Sequence, residues 1–398
     1  MTDRRTILKA GAAGVLAMSA GGVLLPRTAQ AAPLPSTALL DTSAHWATVP
    51  LYGHLSKPTD FSAADVDHIV STYPVVTLEK AQGHHTHGNA EEGCAAGYAQ
   101  IRARSSSIKI LYYWNAAIVW RDYYASLMSS GFDLAWTLKM SDDTPWDPVP
   151  DHPSTIYAYD TSNADLRAWW VDQVVGQVAQ VGYDGAFIDA IARYNVQKSE
   201  LVALFGQAKA DAVVQGQRDM VAQLRRTLGA AKTVLYNGLR YMPTVPDWNG
   251  TGGCLGITDG AMLEHFGILD SASPGSMKGD LNLARNVDGQ GKMVAFCGWW
   301  SSGTVSPPSD PPASWKDNIT FSLASFLCAA GPNSYFHYAR KNFSYNEGAF
   351  ADFPVLRNPL GPPLGAAVQH GYVFTREFEH ASVRVDLSDV QSASIQWH

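Results

Sequence analysis

The chain has 398 residues, of which only 16% are charged and 11% are aromatic, with 12 Trp and 17 Tyr. Its formal net charge of -7 argues against a nucleic-acid partner, because such partners are bound by basic surfaces. Low charge with many Trp and Tyr favours a protein that stacks flat ligands, although a large aromatic core would account for many of these rings.

Residues 1–31 have the pattern of a twin-arginine export signal. Arg4 and Arg5 precede a moderately apolar, Gly-rich run from Ala10 to Leu25, and Ala-Gln-Ala at 29–31 supplies small residues suited to a signal peptidase. No later apolar stretch approaches the roughly 20 residues needed to span a bilayer. We therefore expect the signal to be removed, and the mature protein to be secreted or periplasmic without a membrane partner.

The rest of the chain alternates between strand-like and helix-like patterns. Apolar runs typical of short strands occur at 48–55, 74–80, 108–115, 183–191, 232–239, 260–266, 292–300 and 333–338. Helical patterns occur at 63–73, 94–105, 163–182, 211–229 and 315–331. Alternation of apolar strands with helices indicates a parallel sheet, and eight repeats suggest that the sheet closes.

This order predicts an α/β fold, a (β/α)8 TIM barrel over residues 32–345, with a short C-terminal β segment at 346–398 packed on the barrel. A doubly wound open sheet is the alternative fold. It would require a Gly-rich phosphate-binding turn after an early strand, and neither GxGxxG nor GxxxxGK[ST] occurs.

The four cysteines are too few for a disulfide scaffold. We expect Cys297 to be a buried thiol. A disulfide between Cys94 and Cys254 is possible, but no sequence pattern supports it.

Two carboxylates, Asp189 and Glu264, end the fourth and sixth predicted strands. Active sites of this fold lie at the C-terminal ends of strands, and strand periodicity turns both side chains towards that mouth. Asp184, at the opposite end of the fourth strand, is interpreted as structural. Glycoside hydrolysis needs such a pair, because one carboxylate attacks or activates water while the other protonates the leaving oxygen.

We therefore predict Asp189 as the nucleophile or base and Glu264 as the acid. The structural alternative for each is a salt bridge to a neighbour such as Arg193, Arg240 or Lys278.

Other strand ends and loops supply candidate substrate-binding residues. Aromatic rings stack on the apolar faces of sugars, while polar side chains hydrogen-bond their hydroxyl groups. The candidates are Glu79, His84, His85, His87, Tyr112, Trp114, Asn115, Asn237, His265, Trp299, Trp300, His337 and Tyr338.

Two alternatives of other classes stay open. A carbohydrate-binding protein without catalysis would keep the aromatic residues, and a metal-dependent hydrolase would use the three histidines of GHHTHG at 83–88, since close histidines bind Zn²⁺. We expect no metal and no other cofactor. A lyase would need a cationic patch to neutralise a uronate, which this acidic chain does not reveal. The sequence does not determine the oligomeric state.

Two segments carry a family resemblance. TSNADLRAWWVDQVVGQVAQVGYDGAFIDAI, at 161–191, resembles strand four and its approach in hypothetical glycosyl hydrolase family 15, and is similar more distantly to the endo-α-1,4-polygalactosaminidase family 114. The tail GPPLGAAVQHGYVFTREFEHASVRVDLSD, at 361–389, resembles the end of the former family, with Glu379 to Ser382 in place of an Asn-Gly turn.

The resemblance implies a TIM barrel that cleaves glycosidic bonds of a polysaccharide or oligosaccharide, with Asp189 as the strand-four aspartate and Glu264 as an acid on strand six. Barrels with this arrangement generally cleave α-linkages. The α-amylase family carries Arg two residues before its nucleophile, where this chain has Phe187, so the resemblance does not extend to that family.

Overall fold

The computed structural model describes residues 45–129, 131–150, 156–243, 245, 250–300, 313–340 and 345–398. The predicted export signal lies outside these residues. Within them, no helix combines the length and apolar character needed to cross a membrane.

Eight parallel strands form a nearly closed barrel in which each strand pairs with the next one along the chain. The strands are β1 (Tyr52–Leu55), β2 (Val75–Leu78), β3 (Lys109–Asn115), β4 (Gly185–Asp189), β5 (Thr233–Asn237), β6 (Gly260–Phe266), β7 (Met293–Trp299) and β8 (Ser334–Ala339). All eight predicted strands and the predicted fold class are therefore confirmed. The first and last strands meet at a single bridge between Leu51 and Phe336, whose N–H donates to Pro50 O at 2.8 Å.

Helices surround the barrel. The six longest are α1 (Ala63–Thr72), α2 (Ala90–Arg102), α3 (Ala164–Val181), α4 (Gln207–Leu228), α5 (Pro274–Asp288) and α6 (Ile319–Ala329). Shorter helices cover His84–His87, Ala125–Met128, Arg193–Val196, Lys198–Phe205 and Tyr345–Ala349, and 3-10 turns cover Leu134–Trp136, Leu269–Ser271, Ala313–Asn318 and Pro354–Arg357.

Capping residues set the limits of α3, the helix that leads into β4. The Asn163 side chain accepts hydrogen bonds from two N–H groups of its first turn, and Gly182 ends it with φ 95°, a conformation that favours glycine. The helix therefore stops where β4 has to begin.

Alternate residues of the strands fill the lumen of the barrel. These include Tyr113 and Phe187, stacked with ring centroids 6.1 Å apart, with Leu235, Met262 and Cys297 in the same cluster. Residues of opposite parity point outwards and pack beneath the helices. The parity of each strand residue thus decides whether its side chain can reach the mouth.

A separate antiparallel sheet follows the barrel, with strands β9 (Val368–His370), β10 (Val373–Glu377), β11 (Ala381–Asp386) and β12 (Ala393–Trp397). Apolar side chains on one face of β10 and β11 join the core beneath α6. Arg376 of β10 donates to Leu327 O and Ala330 O, which lie at the C-terminal end of that helix.

All four cysteines are buried and free. Cys94 lies in α2 and donates weakly to backbone oxygens of the β2 end, whereas Cys254 lies in the loop between β5 and β6. Cys94 and Cys254 therefore do not form the disulfide that the sequence left undecided. Cys297 is the buried thiol that we predicted.

Candidate active site

A cavity of about 820 Å³ opens at the C-terminal ends of the strands. The loop between β3 and α3 forms one wall through Trp120, Tyr123 and Val149, and the segment after β4 forms another. Eight of the predicted site residues line it: Glu79, His84, His85, Asn115, Asp189, Asn237, Glu264 and His265.

Asp189 ends β4 and accepts hydrogen bonds on both carboxylate oxygens. Oδ2 accepts from the Tyr113 hydroxyl and from Asn115 Nδ2 at 2.9 Å. Oδ1 accepts from Ala190 N at 2.7 Å and from Asn237 Nδ2 at 2.8 Å. A carboxylate that accepts this many donors is stabilised in its ionised form.

The pKa of Asp189 reflects two opposed effects. Burial and the neighbouring charge of Glu264 raise the pKa above its ordinary value, while the hydrogen bonds from Tyr113 and Asn237 and the charge of Lys80 oppose that rise. Two close carboxylates do not readily ionise together. Four donors converge on Asp189, whereas Asn237 also donates to Glu264 Oε2.

Asn237 limits the distance between one oxygen of Asp189 and one oxygen of Glu264. Its single amide nitrogen donates to Asp189 Oδ1 at 2.8 Å and to Glu264 Oε2 at 2.7 Å. These distances add to 5.5 Å, which is the greatest possible separation of the two oxygens. Asn237, which we predicted to bind a sugar hydroxyl, lines the cavity and connects the two predicted catalytic residues.

A bulge in β6 brings His265 into the cavity beside Glu264. Between Leu263 and Phe266 the strand advances three residues while its partner β7 advances two. Consecutive residues of a regular strand face opposite sides, so the extra residue explains why Glu264 and His265 both line the cavity. The Trp299 indole N–H donates to the backbone oxygen of Glu264 within this bulge.

Arg240 and His265 form a chain of contacts that ends at the Glu264 carboxyl group. Arg240 Nη2 lies 2.8 Å from His265 Nδ1, and His265 Nε2 lies 3.2 Å from Glu264 Oε2. A guanidinium only donates, so Nδ1 is the acceptor and the neutral imidazole carries its proton on Nε2, which faces the carboxyl group.

Several aromatic residues that we predicted to bind sugar lie elsewhere. Tyr112 and Trp114 have the outward parity of β3 and are buried beneath helices, where Tyr112 stacks on Tyr183 and Trp114 packs on Tyr124. Tyr113, the residue between them, is the one that faces the lumen. Asn115 lies two residues after Tyr113, so the two side chains share one face of the strand. This polar strand end was the sequence signal that Tyr113, and not Tyr112 or Trp114, faces the lumen.

The aromatic residues at the ends of β7 and β8 that we predicted to bind sugar also pack against other protein residues. Trp299 is buried and anchors the bulge, and Trp300 packs against the outer core. Tyr338 points outwards and stacks on Trp315 with centroids 5.7 Å apart. His337 is buried in the lumen, where its Nδ1 contacts Tyr52 O at 3.1 Å.

The histidine loop does not assemble a metal site. His84 and His85 line the cavity, with His84 Nε2 3.1 Å from Asp122 O, whereas His87 pairs with Asp60 at 2.7 Å. Among the described residues, no group of three or more His, Cys, Asp or Glu side chains is arranged to hold a metal ion.

Lys80, which sequence reasoning missed, contributes a buried cation to the cavity wall. It forms an ion pair with Glu79, and its Nζ lies 5.1 Å from the ring centroid of Tyr113 and 4.7 Å from that of Trp120. Burial is the largest effect and opposes the charge, but the charge of Glu79 and its hydrogen bond, together with Asp189 and Tyr123, raise the pKa of Lys80. Strand patterns could not have placed Trp120 and Tyr123 here, because the loop between β3 and α3 carries them.

A parallel eight-stranded barrel with a close carboxylate pair at its mouth is the arrangement of a glycoside hydrolase. A family model agrees with this class. The model of hypothetical glycosyl hydrolase family 15 matches residues 102–382, well over half of the chain, and the chain belongs to that family.

Comparison with solved structures returned matches of low identity, and a search of curated proteins returned no match. The chain is similar to the glycoside hydrolase domain of PelA from Pseudomonas aeruginosa, with 13% identity and a TM-score of 0.45 over 75% of this chain and 96% of that one. It is also similar to the maltogenic α-amylase AmyB from Thermotoga neapolitana, with 9% identity and a TM-score of 0.47 over 85% of this chain and 86% of that one.

Proposed function

We propose that this glycoside hydrolase works with retention of configuration, with Asp189 as nucleophile and Glu264 as general acid and base. The shared donor Asn237 carries the proposal, because it limits the separation of the two oxygens to 5.5 Å. Retaining enzymes place their carboxyl groups about 5–5.5 Å apart, whereas inverting enzymes need roughly 6.5–9.5 Å to admit a water molecule.

In this mechanism the Asp189 carboxylate attacks the anomeric carbon while Glu264 donates its proton to the leaving oxygen. Glu264 then removes a proton from the water that hydrolyses the glycosyl-aspartate ester, which returns both residues to their starting states. The hydrogen bonds from Tyr113, Asn115 and Asn237 hold the carboxylate in the orientation of attack.

The substrate is proposed to be an α-linked polysaccharide or oligosaccharide. The resemblance to barrels with an aspartate on strand four and an acid on strand six supports this linkage. The sequence pattern of residues 1–31 supports export by the twin-arginine pathway and action outside the cytoplasm.

The test begins with incubation on bacterial, fungal and algal glycans, with new reducing ends as the readout. On the substrate found, proton NMR should show that the first product keeps the anomeric configuration of the bond cleaved. Asp189→Asn should keep the fold and lower kcat by several orders of magnitude, because an amide is not a nucleophile. An inverted product, or near-normal turnover by this variant, would contradict the assignment.

A further inference from the structure

The cavity contains one cation whose role the proposed mechanism does not explain. Arg193 follows Asp189 by four residues, begins the short helix Arg193–Val196 and lines the cavity. Its Nη2 donates to Pro148 O at 2.9 Å. Its Nε is buried and has no acceptor among the described residues. A guanidinium offers five N–H donors, so most of this group is left without a partner among the described residues.

The charge of Arg193 is also not neutralised locally. Lys80 has Glu79 as its ion-pair partner, whereas no carboxylate of the described residues lies within ion-pair distance of Arg193. Burial lowers the pKa of Arg193, and Tyr194 together with the charges of Asp189, Glu200 and Asp147 opposes this effect. A guanidinium stays protonated in proteins, so the wall of the cavity that Asp189 also lines keeps a positive charge.

The neighbouring Gln197 extends this polar wall. It lies four residues after Arg193, one helical turn on, and also lines the cavity. Its Oε1 is buried and accepts no hydrogen bond from the described residues. Buried polar atoms normally have partners, so two adjacent wall residues with unused atoms indicate a surface that a ligand completes.

We infer that Arg193 binds an oxyanion carried by the sugar chain, so that the substrate of this hydrolase is an acidic glycan, with the carboxylate of a uronic acid as the group that best fits. A planar carboxylate accepts two parallel N–H bonds from a guanidinium and neutralises it, whereas a hydroxyl group leaves the charge uncompensated. The inference rests on the proposed function, because it names the substrate class of the same site.

Binding tests the inference independently of turnover. In the Asp189→Asn background, calorimetry would compare oligosaccharides of galacturonate, glucuronate and mannuronate with counterparts whose carboxyl groups are reduced to alcohols. We expect at least one acidic form to bind on the order of 10- to 100-fold more tightly than its reduced counterpart. Arg193→Gln should abolish that preference, and Arg193→Lys should keep part of it because the charge remains. A sulfated galactan would show whether sulfate substitutes for carboxylate.

Arg384→Gln is the matched control. Arg384 is exposed on β11, so its replacement changes the net charge equally without touching the cavity, and the preference should persist. Equal affinity for acidic and reduced forms, or equal loss of both in Arg193→Gln, would overturn the inference. An Arg193-dependent preference in a protein that cleaves no glycan, or that releases unsaturated uronates, would uphold the inference while contradicting hydrolysis. Cleavage of neutral glycans that is unaffected by Arg193→Gln would support hydrolysis while contradicting the inference of an acidic substrate.

Discussion

Two aspartates of the same strand region show how position decides the role of a residue. Asp184, just before β4, pairs with Arg102 and accepts from Ile110 N at 2.9 Å, so its charge ties the barrel to α2. Asp189, at the other end of the strand, is surrounded by side-chain donors in the cavity. The first set of contacts stabilises the fold, and the second orients a carboxylate in the cavity, where we propose that it acts as the nucleophile.

Replacing Glu264 with Gln should separate a general acid from a residue that only contacts sugar. Acid assistance matters most for a poor leaving group, and its loss typically costs about 10²–10⁴ in rate. We expect Glu264→Gln to lose activity on the natural glycan and to retain part of it on an aryl glycoside of the same sugar. Azide should partly rescue Glu264→Ala, because an anion attacks the glycosyl intermediate without a general base. Equal losses on both substrates without rescue would refute the acid and base role.

Replacing Asn237 with Ala should change the pH profile as well as the rate. Asn237 donates to Asp189 and thereby favours its charged form, so removing the amide should raise the pKa of Asp189 further. Because the mechanism needs ionised Asp189, the acid limb of the kcat/KM profile should move to higher pH. Rates measured over a pH series would show this shift. A lower rate with an unmoved acid limb would instead indicate that Asn237 binds substrate.

Among the secondary-structure elements, a repeated contact secures the N-terminal face of the barrel. Aspartates that precede a strand or end a helix accept N–H groups of a nearby strand or the loop before it: Asp184 from Ile110, Asp259 from Val234, and Asp288 from Asn333. Asp259 in addition pairs at 2.6 Å with Arg225 of α4, which is only 3% exposed. This pair therefore joins β5, β6 and a helix around a buried charge.

Breaking that pair should destabilise the protein substantially. Asp259→Asn can still accept the Val234 N–H but leaves the Arg225 charge buried without its counter-ion, which costs about 3 kcal/mol. Urea unfolding should show this loss. Asp352→Asn is the control, since its ion pair with Arg357 is exposed and should contribute nothing measurable. Similar midpoints for the two variants would contradict a structural role for the Asp259 pair.

Sequence patterns were sufficient for the strands and insufficient for several side chains. Each strand is a short apolar run between polar segments, and this simple signal located all eight and both predicted catalytic carboxylates. Helix α5 was missed because PGSMKGDLNLARNVD is polar and contains two glycines and a proline. In β3, five successive large residues, Ile110 to Trp114, hide the alternation, and only the polar Asn115 at the strand end, which pairs with Asp189, indicates which parity faces the lumen. The β6 bulge has no sequence signal, because it depends on the pairing with β7.

On the scale of the whole molecule, the barrel is weakest where its first and last strands meet. One bridge and a hydrogen bond join β8 to the segment before β1, and the contact of His337 Nδ1 with Tyr52 O adds to this seam. His54 of β1 lies in the same lumen, 3.0 Å from the Tyr52 hydroxyl through its Nδ1. Both imidazoles are almost completely buried, so the seam depends on their being neutral.

This arrangement predicts that stability declines in mild acid. Burial lowers the pKa of His54 from 6.5 to about 3 and that of His337 to about 4. Below pH 6.5 the unfolded chain binds protons that the folded barrel does not bind, so the stability present above that pH is lost as the pH falls towards 4. Each histidine should contribute about 1.4 kcal/mol per pH unit over this range. In urea unfolding between about pH 5 and pH 6, His337→Gln should reduce the slope by nearly one proton equivalent. His370→Gln, at an exposed position of β9, should leave the slope unchanged. An identical slope in the wild type and His337→Gln would show that His337 takes up its proton without opening the barrel.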